Sequence, residues 1–296
     1  MITELSIVIP TYNQACLSLV EELHKQASQA TGLTFEVIVA DDGSNDEKVI
    51  VTNRRINAFP HCRYIERRVN MGRAAIRNYL AQESRYSWLL YIDSRMRIAN
   101  ENYLRTYLSQ DSNDVTYGSY MIVEDPSFIS NLRYMYERHY LLRHPDHVRQ
   151  EHPYHDFHTS NFLVRRDVLM NCPFDERFKQ YGYEDVLYGR QLEEHGYGLM
   201  HLDNPVVFEH FESNERFVEK TEEALRTLYT YRDDMSNYSR MIVVTNKFRH
   251  CGMLWLVRLA YRLFGKRWRR KCAGEHPTLK TFNYFRLGYF ADLLRK

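Results

Sequence analysis

Four short apolar runs in this chain break straight into small polar clusters: SIVIPTYN (6–13), FEVIVADDGSND (35–46), WLLYIDSRM (88–96) and QYGYEDVLYGRQL (180–192). A parallel strand buried on both faces reads as a continuous apolar run, and ligands in open α/β sheets collect beyond the carboxyl ends of such strands. The clusters, mostly acidic, are therefore expected to meet in one cleft. Up to about Arg97 the pattern alternates. Ile7 to Ile9, Phe35 to Ala40, Cys62 to Ile65 and Trp88 to Ile92 read as strands; Cys16 to Ala30, Asp46 to Phe59 and Gly72 to Glu83 read as helices. Strands alternating with helices of this length imply right-handed βαβ units and a mainly parallel sheet.

From Tyr103 to Asn161 the periodicity weakens and Tyr, His and Arg accumulate, which reads as a helix followed by a long loop. Phe162 to Val164 and Gly198 to Leu202 read as further strands, and Asp185 to Gly196 and Glu215 to Tyr238 as helices. Near the C-terminus, CGMLWLVRLAYRLFGKRWRRK starts apolar but is interrupted by Arg258 and Arg262. A spanning helix needs about 20 apolar residues, so this segment does not span. On a helix Arg258, Arg262 and Lys266 stack, while Leu254, Trp255, Leu259 and Leu263 take other faces. Two readings stay open: a basic amphipathic element lying on an anionic membrane surface, or a packed terminal helix with a solvated basic face.

A length of 296 residues with 44% hydrophobic content suits one large or two modest domains. The formal charge of +2 gives no argument for nucleic acid as a partner. It hides an asymmetry, because Lys247 to Lys271 holds nine cations and no acid, which leaves the first 246 residues net acidic. Cys16, Cys62, Cys172, Cys251 and Cys272 are odd in number and scattered, with no C-x-x-C pair, and read as reduced thiols. No charged n-region precedes a longer apolar stretch at the N-terminus, so a cytoplasmic site of action is expected.

Asp41 and Asp42, followed by Gly43 and Ser44, offer acceptors and a tight turn where a base or ribose could be held, although D-G after a strand is often a plain turn. Pro10 and Tyr12 stand at the first strand end, where Tyr12 suits stacking on a base. Asn70-Met71-Gly72-Arg73 opens a helix carrying Arg77 and Asn78 one turn on, and a glycine before a helix lets backbone approach a phosphate that the helix N-terminus and arginines favour. Asp93 sits at a strand end where a divalent cation holding a diphosphate wants two carboxylates, and Arg95 occupies the second position. Three outcomes follow: Asp93 works with ligands from elsewhere, Arg95 replaces part of the metal charge through its bidentate fork, or the diphosphate site is dead. Glu184-Asp185 opens an amphipathic helix, where one acid serves as a cap and the pair together suits a general base beside a carboxylate that orients a hydroxyl. His152, His155 and His158 have ligand-like spacing, but Pro153 breaks any helix that would align them. His210, after an apparent strand, is the better single metal candidate.

Taken together, IVIPTYN, VADDGSND, NMGRAAIRN, YIDSRM, NFLVRRDVLMNCPFDERFKQYGYEDVLYG and DNPVVFEH resemble the family 2 glycosyltransferases of the GT-A fold, from about Leu5 to about Glu212. The FDERF and GYED segments resemble bacterial members that build surface polysaccharides. The resemblance implies an α/β GT-A nucleotide-diphospho-sugar transferase fold: a domain over 1–212, with a nucleotide half (1–97) and an acceptor half (98–212), then a helical extension (213–296) containing the basic segment 247–271. It implies inverting transfer from a nucleotide sugar, usually a UDP-sugar, to a hydroxyl of a glycan or lipid-linked acceptor. By motif match Pro10 and Tyr12 line the nucleoside pocket, Asp42 bonds the base, Gly72, Arg73 and Arg77 lie along the nucleotide, and Asp93 reaches the ribose or the metal. Asp185 is the base, with Glu184 beside it contacting the acceptor. The family's cation, Mn²⁺ or Mg²⁺, would take Asp93 and His210, but Arg95 replaces the second acid and Phe208 stands where relatives carry histidine. A catalytically inactive member that binds nucleotide or glycan as a scaffold is the alternative. An NAD-dependent oxidoreductase also suits alternating βαβ units but ranks far behind, because PTYNQ, and not G-x-G-x-x-G, follows the first strand; a sugar nucleotidyltransferase would need a glycine-rich basic loop there, and it is missing.

Overall fold

Ile7 to Ile9 form the centre of an eight-residue strand, β1 (Glu4–Thr11), in which Leu5 to Ile9 are fully buried. The structure, a computed structural model, describes residues 1–236 and 238–295. After β1 come α1 (Leu17–Gln29), β2 (Thr34–Asp41), α2 (Glu47–Arg54), β3 (Cys62–Glu66), α3 (Arg73–Glu83), β4 (Trp88–Ile92), β5 (Met96–Arg97) and α4 (Tyr103–Leu108). The middle of the chain gives β6 (Val115–Tyr117), β7 (Tyr120–Ile122), α5 (Leu132–Leu141), α6 (Asp146–Gln150), β8 (Asn161–Arg165), α7 (Arg166–Asn171) and α8 (Glu184–Glu194). It ends with β9 (Leu199–His201), β10 (Val206–Phe208), α9 (Asn214–Thr230), α10 (Arg240–His250), α11 (Leu254–Ala273) and α12 (Leu279–Leu293).

Two units are formed. Met1–Val123, Asp146–Lys179 and Tyr188–Glu209 make the first; Glu124–Pro145, Gln180–Leu187 and His210–Lys296 make the second. The long loop expected after Tyr103 is instead cut into short strands and the helices α5 and α6. Glu124–Pro145 and Gln180–Leu187, expected with the first domain, group with the C-terminal helices because α5 packs its Leu132 and Tyr136 into their core.

In the first unit a seven-stranded sheet runs in the order β3-β2-β1-β4-β8-β6-β9, and only β8 is antiparallel to its neighbours. Successive side chains point to opposite faces of a strand, and the core divides accordingly. Ile7, Ile9, Val37, Val39, Leu90 and Ile92 meet α1 through Val20 and Leu23 on one face. Val8, Ile38, Leu89 and Tyr91 meet α3 through Ala74 and Leu80 on the other. Apolar runs without alternation follow from this two-sided burial. A second, three-stranded sheet, β5-β10-β7, joins short segments that carry little signal of their own.

The second unit is helical around Leu132, Phe217, Cys272, Phe282 and Phe285. Its α11 packs against α9 and α12 through Leu254, Gly265 and Cys272.

Candidate functional site

Parallel register brings the polar clusters of the first unit to one sheet edge. Thr11 pairs with Asp41 across β1 and β2, and Val8 with Tyr91 across β1 and β4, so two residues further on Pro10 is level with Asp93. Here two loops clasp each other. Asn13, in left-handed backbone at φ 48°, donates from its amide side chain to Asn45 Oδ1 (2.9 Å) and accepts from the backbone amides of Asn45 (3.0 Å) and Asp46 (3.1 Å). Its own backbone amide donates to Ser44 Oγ (2.7 Å). Asparagine tolerates this conformation and carries both a donor and an acceptor. Beside the clasp Tyr12 is 46% exposed and Pro10 half-buried.

Asp41 and Asp42 are both buried, and each is engaged within the loops. Asp41 accepts from the Ser44 amide (2.7 Å) and from the Tyr64 hydroxyl. Asp42 accepts from the amides of Gly72 (2.8 Å) and Met71 (3.1 Å) and from the Arg67 guanidinium (3.3 Å). A buried carboxylate is tolerated when its lone pairs are satisfied in this way. Asp42 therefore anchors the 70–72 segment, and a bond from it to a base uses only the lone pairs that remain. The turn leaves no room beside it: a Cβ on Gly43 (φ 79°) would lie 2.8 Å from the Asn70 nitrogen.

Gly72, at φ 94°, precedes α3, and Arg73 is exposed on its first turn. Arg77, one turn on, departs from the expectation that it lies along the nucleotide. It is 1% exposed, donates to Asp93 Oδ1 (3.1 Å) and packs over the Phe174 ring (5.6 Å). A desolvated guanidinium needs its carboxylate partner, so Arg77 holds Asp93 from beneath. Arg95 differs: it is exposed and makes no ion pair or side-chain hydrogen bond among the described residues.

This donor set does not fit a divalent cation. Asp93 already faces Arg77, Arg95 adds positive charge two residues away, and no group of three His, Cys, Asp or Glu side chains among the described residues is placed to hold a metal. The other expected ligand, His210, is exposed beyond the end of β10. None of the 152–158 histidines lies on a helix, as Pro153 requires: His152 and His155 sit in a bend and a turn, with their rings 6.0 Å apart. His158 meets Tyr117 and Tyr120 edge-on. A histidine the sequence did not single out is central there. His201 accepts at Nδ1 from Arg149 (3.0 Å) and donates from Nε2 to the Pro153 carbonyl (2.9 Å), and burial pushes its pKa down to about 4.

In the second unit, α8 opens on Glu184, buried, and Asp185, half-buried, whose Oδ1 accepts from the Val186 amide (2.9 Å). Both acids lie where the helix dipole favours them. Two left-handed residues precede them, Gly182 (φ 98°) and Tyr183 (φ 69°). A non-glycine residue held there costs on the order of 1 kcal/mol and persists only where its surroundings over-determine it. They do so here. The Tyr181 amide donates to Glu223 (3.0 Å), Thr227 donates to the Tyr181 carbonyl (3.1 Å), and a Cβ on Gly182 would lie 2.7 Å from the Ala224 Cβ. The Arg286 guanidinium of α12 lies near the phenol groups of Tyr183 and Tyr136 and stacks over the Tyr136 ring (5.3 Å).

Against this geometry stand the comparisons. The sequence model described as "Glycosyl transferase family 2" matches residues 6–172, more than half the chain, and covers β1 through α7, with the clasp, Asp42, Arg77 and Asp93. The chain belongs to glycosyl transferase family 2. Its similar relatives include an uncharacterized glycosyltransferase of Haemophilus influenzae, 38% identical over 89 residues (30% of this chain, 28% of the relative). A chondroitin synthase of Escherichia coli is 26% identical over 232 residues (66% of this chain, 33% of the relative). A poly(ribitol-phosphate) beta-glucosyltransferase of Bacillus spizizenii is 32% identical over 119 residues (39% and 19%). The match spans a third or less of the length of these three relatives. Among solved structures, S. aureus TarS 1-349 in complex with UDP-GlcNAc superposes with a TM-score of 0.52 at 16% identity, over 98% of this chain and 81% of that one. A mannosyltransferase of Pyrobaculum calidifontis in complex with GDP-Man and Mn2+ gives 0.58 at 13%, over 98% and 85%. The family 2 chain thus has the GT-A fold that its motif resemblance implies.

Proposed function

We propose that this protein is an inverting glycosyltransferase that moves a sugar from a nucleoside-diphosphate donor, in the first instance a UDP-sugar, to a hydroxyl of a glycan or lipid-linked acceptor in polysaccharide biosynthesis. Its place of action is the cytoplasmic face of the cell membrane. The observation that carries this reading is the family match over the strands whose ends hold Tyr12, Asp42, Asp93 and Arg95. Relatives and neighbours support it, since their names describe a beta-glucosyltransferase and complexes with UDP-GlcNAc and GDP-Man.

In this reading Tyr12 and Pro10 take the base face, Asp42 bonds the base edge, Gly72 and Arg73 approach the nucleotide, and Asp93 is held by Arg77 toward the ribose. The acceptor oxygen attacks the anomeric carbon, and Asp185 takes its proton. The bond to the diphosphate breaks on the opposite face, so the configuration inverts, and the nucleoside diphosphate leaves as an anion. Glu184 orients the acceptor hydroxyl. A base removes a proton well only within hydrogen-bond reach of it. Arg95 and Arg73 supply the charge that stabilises the leaving group, and guanidinium forks suit phosphate oxygens.

One observation favours a second reading, a scaffold that binds nucleotide or glycan without turnover: the Asp93–Arg77 pair with Arg95 in place of an acid. Donor hydrolysis and transfer over a panel of nucleotide sugars separates the two. Turnover abolished by Asp185→Asn, with UDP binding unchanged, supports catalysis. Donor binding with no turnover of any donor or acceptor, in the presence or absence of Mn²⁺, supports the scaffold.

A further inference from the structure

Six of the seven cations of α11 fall into two groups. Arg258 donates to the Ala291 carbonyl (2.9 Å), and Arg269 pairs with Glu222 (2.8 Å) and Glu215 (2.9 Å). These face the neighbouring helices of the second unit. Lys266, Arg267, Arg270 and Lys271 are exposed and make no ion pair among the described residues. On the same outward side, one or two turns earlier, the helix shows Leu256, Leu259 and Leu263 at helical spacing, with Trp255 beside them. Leu263 is 67% and Trp255 60% exposed, although the inward stripe of Leu254, Gly265 and Cys272 is already closed against its neighbours.

Apolar side chains in solvent on one face of a helix, continued by unpaired cations, are the two attractions that hold an interfacial helix on an anionic bilayer. No acid lies between Lys247 and Gly274 to oppose that field. A second copy of the chain seated in parallel on the same face would bring these cations against their equivalents. No described helix is long and apolar enough to cross a membrane, so insertion is not the alternative. We infer that the outward face of α11, from Trp255 to Lys271, is a docking surface for an anionic lipid bilayer, with the leucines and Trp255 in the acyl boundary and the four cations among the headgroups. The inference deepens the proposed place of action and does not depend on the transfer chemistry.

The test is sedimentation of the full chain with phosphatidylglycerol–phosphatidylcholine vesicles and with pure phosphatidylcholine vesicles, alongside UDP titration. The wild type is expected to partition onto the anionic vesicles and to be released by salt. Leu259→Glu/Leu263→Glu is expected to lose on the order of a hundredfold in partition. Replacing Lys266, Arg267, Arg270 and Lys271 by Gln is expected to cost about fivefold per cation. UDP binding and the far-UV circular dichroism helix signal stay unchanged in both variants, which shows that both units fold. Equal binding by wild type and variants, or no preference for anionic vesicles, overturns the inference. So does a wild-type dimer that Leu259→Glu/Leu263→Glu turns into a monomer without changing partition, since the face then joins two copies. Each of these results leaves the glycosyl-transfer reading standing.

Discussion

An arginine where a second carboxylate is expected changes what the end of β4 attracts. A D-x-D pair draws a cation, and the cation draws the diphosphate; Arg95, exposed and without an ion pair among the described residues, can meet the phosphate oxygens itself, while Asp93 is neutralised by the buried Arg77. A charge-assisted hydrogen bond contributes roughly 1.5 to 3 kcal/mol. Arg95→Ala is therefore expected to weaken UDP binding by about ten- to a hundredfold, and calorimetric titration reads this directly. Adding Mn²⁺ should restore little in that variant. Arg95→Asp gives the complementary case, in which Mn²⁺ dependence should appear; UDP affinity that is unaltered by either substitution would remove Arg95 from the diphosphate site.

At the scale of elements, the turn before α8 is over-determined from two sides. Gly182 lies against Ala224 of α9, and Tyr183, in left-handed backbone, has the Arg286 guanidinium of α12 near its side chain. Arg286→Met should release Tyr183, lower kcat by tenfold or more through misplacement of Asp185, and leave KM for the donor within about twofold. Arg286→Lys should recover part of the rate. A loss confined to thermal stability, with kcat intact, would mean that the turn does not set the base. None of this was legible in the chain. The strand run was, because β1, β2 and β4 are buried on both faces and bounded by turn residues. The region after Tyr103 was not, since β6 and β7 have three residues each and gain their pairing from strands remote in sequence. The motifs placed the candidate residues, but not their partners. A sequence shows Arg77 and Asp93 as two charges, and only the fold shows that one lies beneath the other. The same holds for Asn13 and Asn45, whose signal was no more than two turn residues after two strands.

Across the whole molecule, buried ionisable groups set how stability varies with pH. His201, with a pKa pushed down to about 4 by burial and by the Arg149 side chain beside it, stays neutral in the fold at pH values where the unfolded chain is protonated. The unfolded state then binds more protons, so stability is present in full above an unfolded pKa of about 6.5 and falls as the pH drops toward 4. The loss over that window is about 3 kcal/mol from this group. Denaturant titrations at a series of pH values should show it in the wild type, and the slope should flatten in His201→Gln; an identical slope in both would place the dependence elsewhere.

The second unit is gathered from three separate stretches of chain, and Arg286 touches all of them: its own stretch, Tyr183 of 180–187 and Tyr136 of 124–145. Shuffling between family members therefore meets a constraint that a linear map hides. A hybrid joined near residue 212 would inherit the terminal helices from one parent and the two inserts they grip from the other, with the arginine and its tyrosines separated at the seam. Because residues 146–179 and 188–209 of the first unit are threaded between these inserts, no single crossover leaves both units whole, and a functional hybrid needs several exchanges made at the unit boundaries.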